Sequence, residues 1–386
     1  MINKNLFFII LFLSFFMNGC SSFGWLKFWG DDEEVEEPAE LVSIKEEASF
    51  SKKWDKGLGA LGLTGKFVPV INNDKIYFIS SEGNLVALST NKGRTLWSRK
   101  TGDQVSGALG FGFKRLHYGT IDGEIISIEE ENGEEIWRNK TSSEVLSPPT
   151  TNGDIVAVQS SDGVISGFDF KTGEERWVHQ STVPRLSLRG TSTPFFEQGF
   201  LFTAFANGKV AMIYPDSGSV RWEIPVALNE GKSELERIKD IDGKSILVGE
   251  LFFSASYQGN ISAIDIRSGR LVWQEDISTT RDLTEARSRI IAVDKKDIVK
   301  AFGASSGVLI WQQEGLKLRS VSSPVTIDKG IVIGDFEGYI HLLDARDGSF
   351  IGRRKVSRQP IKEIVYQGKD LLALDESGRL ISLIIQ

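Results

Sequence analysis

Residues 81–97 read SEGNLVALSTNKGRTLW, and the pattern returns as IDGEIISIEEENGEEIW at 121–137 and SDGVISGFDFKTGEERW at 161–177. It continues as ANGKVAMIYPDSGSVRW to Trp222, YQGNISAIDIRSGRLVW to Trp273 and KDIVKAFGASSGVLIW to Trp311. A seventh copy, FEGYIHLLDARDGSFIG, carries Gly352 where tryptophan is expected, and an eighth begins at Glu376-Ser377-Gly378 and stops before its tryptophan. Within each copy a glycine opens a short alternating strand such as Asn84-Leu85-Val86-Ala87-Leu88. A second glycine makes the next tight turn, where a positive φ is cheap for glycine. Asp297 takes the place of the first glycine in the sixth copy.

Successive tryptophans from Trp54 stand 43, 40, 40, 45 and 51 residues apart, a period that suits one four-stranded blade. The piece missing from the last copy lies at the other end of the chain, around Phe50 to Trp54. In a closed propeller the N-terminal strand can complete the last blade and join the ends of the ring. Counting Trp54, the six internal tryptophans and Gly352 gives eight blades, so the expected fold is all-β: an eight-bladed β-propeller over residues 49–386. Val68-Pro69, Ser147-Pro148, Thr193-Pro194 and Ser323-Pro324 recur near blade starts, where an edge strand tolerates a missing N–H donor. The repeat tryptophans read as packing between blades. Each burial removes roughly 150–250 Å² from water, an upper-bound gain of about 4–6 kcal/mol.

Before the repeats, Lys4 precedes an apolar run from Leu6 to Phe16 and then Met17-Asn18-Gly19-Cys20. The run is short for a membrane span and reads as a signal-peptide core, with residues 1–19 removed before Cys20. A small residue followed by cysteine has the form of a lipoprotein processing site, which makes Cys20 the expected lipid attachment point. Met17 stands where such sites usually have Leu. With one cysteine in the chain, internal disulfides are excluded. Ser21, rather than Asp, after the cysteine resembles an outer-membrane address, with the protein tethered at the periplasmic face. Residues 20–48 are expected to form the anchor and an acidic flexible tether, through Asp31, Asp32, Glu33, Glu34, Glu36 and Glu37. The formal net charge of −7 argues against nucleic acid as a partner.

Catalytic and metal motifs fail on their spacing. Gly57-Leu58-Gly59-Ala60-Leu61-Gly62 matches a dinucleotide fingerprint, but Thr64-Gly65-Lys66 and strand signals follow where a helix is required. Around Asp240-Ile241-Asp242-Gly243, a calcium-loop register places Ile238 and Gly249 where carboxylates are needed. His117, His179 and His341 fall on three different blades without zinc spacing. No catalytic residue, cofactor or metal is expected.

The repeat is interrupted in two adjacent connections, 183–190 and 233–242, and insertions in repeat proteins map to loops that often bind partners. They offer Leu186 and Leu188 as apolar anchors, Arg189 as a guanidinium, and Asp240 and Asp242 as carboxylates. Arg with apolar neighbours is the composition of an interface hot spot. The alternative is that Arg189 pairs with Asp240 or Asp242 and ties the two loops together; both roles can hold at once.

At these residues the chain resembles the BamB (YfgL) family of outer-membrane assembly lipoproteins, within the PQQ-like repeat propellers. The most specific stretches are Leu186-Ser187-Leu188-Arg189-Gly190, Arg237 to Asp242, and Gly334-Asp335-Phe336-Glu337-Gly338-Tyr339-Ile340-His341. The resemblance implies a non-enzymatic scaffold of the β-barrel assembly (BAM) complex, which inserts proteins into the outer membrane. It implies that Leu186, Leu188, Arg189, Asp240 and Asp242 dock onto periplasmic POTRA domains of BamA. The other BAM lipoproteins are then indirect partners, and unfolded outer-membrane proteins are candidate clients. Two other readings are an adaptor for a different envelope complex and a quinoprotein enzyme. The enzyme is disfavoured because such chains are longer, carry inserted cofactor and calcium ligands, and often have a vicinal disulfide.

Overall fold

The computed structural model describes residues 36–182, 190–227 and 239–386, and these contain strands, turns and connections but no helix. Eight four-stranded antiparallel sheets follow one another, each an up-and-down meander. They are the eight blades of the propeller. Blades 1 to 7 span residues 70–100, 105–140, 150–180, 195–225, 246–277, 284–313 and 325–355. Blade 8 takes three strands from 361–385 and its outer strand from Phe50–Gly57, which pairs antiparallel with Arg379–Ile385. The ring is closed by the N-terminal strand, as the broken repeat requires.

Burial follows position in the blade. The second and third strands, such as Lys75–Ile79 and Val164–Asp169, are buried almost throughout because both faces meet neighbouring blades. The outer strands, such as Thr95–Lys100, are mostly exposed. Every outer strand carries a β-bulge at the same place. Ala87 pairs with Trp97 and Leu88 with Thr95, so the residue before the tryptophan is skipped. The same shift falls before Trp137, Trp177, Trp222, Trp273, Trp311 and Gly352. A bulge re-aims a side chain and increases local twist, and here it turns each indole toward the next blade.

The turn glycines have a second duty that their spacing did not disclose. A Cβ on Gly173 would lie 2.5 Å from Trp137, and one on Gly348 would lie 2.6 Å from Trp311. Each tryptophan therefore packs on the glycine turn of the following blade. For several of them the indole N–H also donates to a carbonyl there: Trp137 to Phe170, Trp177 to Pro215, Trp273 to Ala304 and Trp311 to Ala345, at 3.0, 2.6, 2.8 and 3.2 Å. Asp297 holds φ 62° in place of the missing glycine. Its carboxylate accepts the N–H groups of Ser320 and Val321, binding the connection into blade 7. The prolines stand just before the first strands Val70–Asn72, Thr150–Thr151, Phe195–Glu197 and Val325–Ile327.

Candidate functional site

Two kinds of connection leave a blade: turns between its own strands, and links from its outer strand to the inner strand of the next. Both long interruptions are links of the second kind. One joins Glu175–Gln180 to Phe195–Glu197, and the other joins Val220–Pro225 to Ile246–Val248. They therefore share one face of the ring and flank blade 4. Leu186, Leu188 and Arg189 lie outside the described residues, as does Cys20.

The bases of both loops are described, and they touch. A Cβ on Gly190 would lie 2.3 Å from Asp242 Oδ1, so the Asp242 carboxylate rests directly on the backbone of the first loop. Ser192 Oγ donates to the Gly243 carbonyl at 3.0 Å, a second tie between the loops. Between the two aspartates, Ile241 is buried in the core shared by blades 4 and 5. Asp240 and Asp242 are themselves buried, at 0% and 8% exposure, so they shape the loop bases from beneath. Their spacing in sequence suggested surface carboxylates; residues 240–243 form an irregular, wholly buried stretch at the base of the connection, so both carboxyl groups are enclosed together with Ile241. Burial pushes the Asp242 carboxyl up to about 6, with Lys66 acting against the rise.

Lys66 belongs to a charged group lining the central channel, formed by residues at the inner ends of blades 1, 5, 6 and 8. Its Nζ meets Asp282 Oδ1 at 2.9 Å, although the two stand on blades three steps apart. Their side chains stay 22% and 30% exposed, so water reaches the pair inside the ring. Burial works against the Asp282 charge, but Lys66 and the Lys244 N–H outweigh it and hold the carboxyl low. Burial likewise opposes the Lys66 charge, and Asp282, with Glu363 and Asp242, reverses that and raises the ammonium. Glu363 is pushed up to about 8, by burial first and then by Asp282. Sequence reasoning missed this group. Lys66 was visible only as the residue that spoiled the dinucleotide fingerprint.

The histidines do not converge. Burial pushes His117 down to about 3, and its ring packs against Trp137 and Phe170. His179 contacts Glu223, and His341 contacts Asp335. Among the described residues no three His, Cys, Asp or Glu side chains group as metal ligands.

The fold and this face define a class: a closed propeller of PQQ-like repeats, with two coupled loops as its main departure from regularity. The comparisons with known proteins narrow it. A family model described as outer membrane protein assembly factor BamB matches residues 81–313 and 278–382. The outer membrane protein assembly factor BamB of Pseudomonas aeruginosa is 42% identical over 380 residues, covering 98% of each chain. Among solved structures, BamB from Moraxella catarrhalis superposes with a TM-score of 0.80 at 24% identity, over 87% of this chain and 99% of that one. A europium-containing methanol dehydrogenase also superposes, with a TM-score of 0.68 at 14% identity over 84% of both chains, a likeness of fold alone. The chain belongs to the BamB family, whose members are assembly factors, and it is not an enzyme.

Proposed function

We propose that this chain is a lipid-anchored scaffold of outer-membrane β-barrel assembly, held at the periplasmic face through Cys20 and docked onto POTRA domains of BamA. The observation that carries this reading is the coupling of two long connections on one face, in a chain of the BamB family. Leu186, Leu188 and Arg189 are the residues that meet the partner. Asp240 and Asp242 act one layer below, by fixing the bases from which those side chains project. Specificity then comes from a rigid support beneath a short apolar and cationic patch, since anchors held in place lose less freedom on binding.

The outer strands suggest how incoming barrel strands are handled. Leu96, Val178, Leu271 and Ile310 are exposed on four of them. An outer strand also offers unpaired backbone groups to an extended peptide, the basis of β-augmentation. Crosslinks from nascent barrel proteins that map to these strands support this half of the reading; a complete absence of such crosslinks removes it.

The docking half is tested by co-purifying BamA with tagged wild type and with Arg189→Glu, using circular dichroism to check the fold. Loss of BamA from a folded variant supports docking through the loops. Equal recovery makes Arg189 a loop tie only, and no recovery with wild type points to an adaptor for another envelope complex.

A further inference from the structure

The seam between blades 7 and 8 cannot be closed as the others are. Elsewhere a tryptophan packs on the glycine turn between the last two strands of the next blade. In blade 8 that turn does not exist, because its last two strands are the two ends of the chain. Gly352 stands at the tryptophan position of blade 7, and a Cβ there would lie 2.6 Å from the carbonyl oxygen of Ala48. The space an indole takes elsewhere is occupied by the N-terminal segment.

That segment is held along its length. Glu47 and Ala48 both donate their N–H groups to the carbonyl of Ile351, the residue left over by the bulge, at 2.8 and 3.0 Å. Arg353 Nη1 donates to the Val42 carbonyl at 2.8 Å, and Arg319 Nη1 to the Ala39 carbonyl at 3.0 Å. Ala39 N–H donates to the Lys317 carbonyl at 2.9 Å. Leu41 packs on the cluster containing Leu316, Val321 and Trp311, while Ala48 and Phe50 enter the core between blades 7 and 8.

The two arginines are aimed by the stretch Gly334 to His341. Asp335, fully buried, accepts from Arg319 Nε at 2.9 Å and meets His341 Nε2 at 3.0 Å. His341 Nδ1 in turn accepts from Arg353 Nε at 3.1 Å. A neutral ring protonated on Nε2 satisfies both contacts, donating to Asp335 and accepting from Arg353.

We propose that residues 38–48 are a built-in clasp, gripped by Arg319 and Arg353, that locks the blade 7–8 seam. Ala39 meets the link between blades 6 and 7, the same kind of connection as the two long loops. The clasp therefore begins on the loop-bearing face. If Cys20 is the anchor, as proposed above, residues 20–37 join the lipid to the clasp in sequence. The clasp and that lipid reading stand or fall separately.

Amide hydrogen exchange on the full chain tests the clasp, together with the rate of tryptic cleavage after Lys45. In wild type the Ala39 and Ala48 amides are protected and the cut is slow. Gly352→Trp, which restores the repeat consensus, ejects the segment, so both amides lose protection and cleavage rises at least tenfold. Leu41→Asp, a change at the clasp rather than in the blade, releases residues 38–44 with the strand Tyr339–Leu343 still protected. Fast exchange of both amides in wild type overturns the proposal, as does unchanged protection in both variants. The mass of the mature N-terminus reports on Cys20 acylation independently of either result.

Discussion

Asp242 and Gly190 are in contact across the two long connections, with room for a hydrogen but not a methyl group at Gly190: a Cβ there would sit 2.3 Å from Asp242 Oδ1 and 2.4 Å from Cγ. The second loop is thus seated on the backbone of the first. A change at the base of either one is felt by the other, and any surface built from both inherits that dependence.

Gly190→Ala should therefore weaken BamA capture several-fold while the circular dichroism spectrum stays that of the wild type. Asp242→Ala in the same chain removes the clashing carboxylate and should recover part of the loss. A double-mutant cycle on binding measures the coupling. Strict additivity of the two changes would show that the contact does not matter for docking.

The Lys66–Asp282 pair links the inner ends of blades 1 and 6, with Glu363 and Asp242 close enough to influence Lys66. Lys66→Met leaves three carboxyl groups without that cation and should lower the urea midpoint. The expected cost is about 1–3 kcal/mol, below that of a dry pair because water reaches the channel. Lys66→Met with Asp282→Asn should cost less than Lys66→Met alone. Equal midpoints for wild type and Lys66→Met would make the pair a bystander.

The ring was legible from the sequence because each blade repeats a local rule: two glycines, one alternating strand and one tryptophan. Its closure was legible too, since the last copy lacks what Phe50 to Trp54 supplies. The docking face was legible in part. The insertions at 183–190 and 233–242 mark it, but the burial of Asp240 and Asp242 depends on how the irregular stretch 240–243 sinks between blades 4 and 5, which no periodicity announces. The Lys66–Asp282 contact spans most of the chain length, and no local spacing announces such a pair. Gly352 stood out as a break in the repeat, and the Gly334–His341 stretch as part of the family resemblance. What joins them, a segment of acidic tether lying across blade 7, needed three dimensions.

The tryptophans should rank by burial. Trp137, Trp177 and Trp311 are 7–8% exposed, whereas Trp54, Trp97 and Trp222 are half-buried. Trp311→Ala removes a buried indole and its hydrogen bond to Ala345, at an expected cost of about 3–5 kcal/mol. Trp97→Ala should cost clearly less. Denaturant midpoints of the two variants check the order, and a reversed order would mean that burial at these seams does not set their strength.

Glu363 should give the fold a pH dependence near neutrality. Its carboxyl sits at about 8 in the folded chain, against an ordinary 4.5, with Asp282, Lys66, Arg281 and Lys362 as the charges facing it. Between those two values the unfolded chain has released the proton and the folded chain still binds it. Stability therefore falls as pH rises through that window and levels off above about 8. Asp242 contributes in the same direction only up to about 6, leaving Glu363 to dominate from 6.5 upward. Replacing it by glutamine keeps the shape and removes the proton, so the melting temperature of Glu363→Gln should gain on wild type between pH 6.5 and pH 8.5. Parallel melting profiles across that range would mean that the channel water solvates Glu363 well enough to keep it ionised.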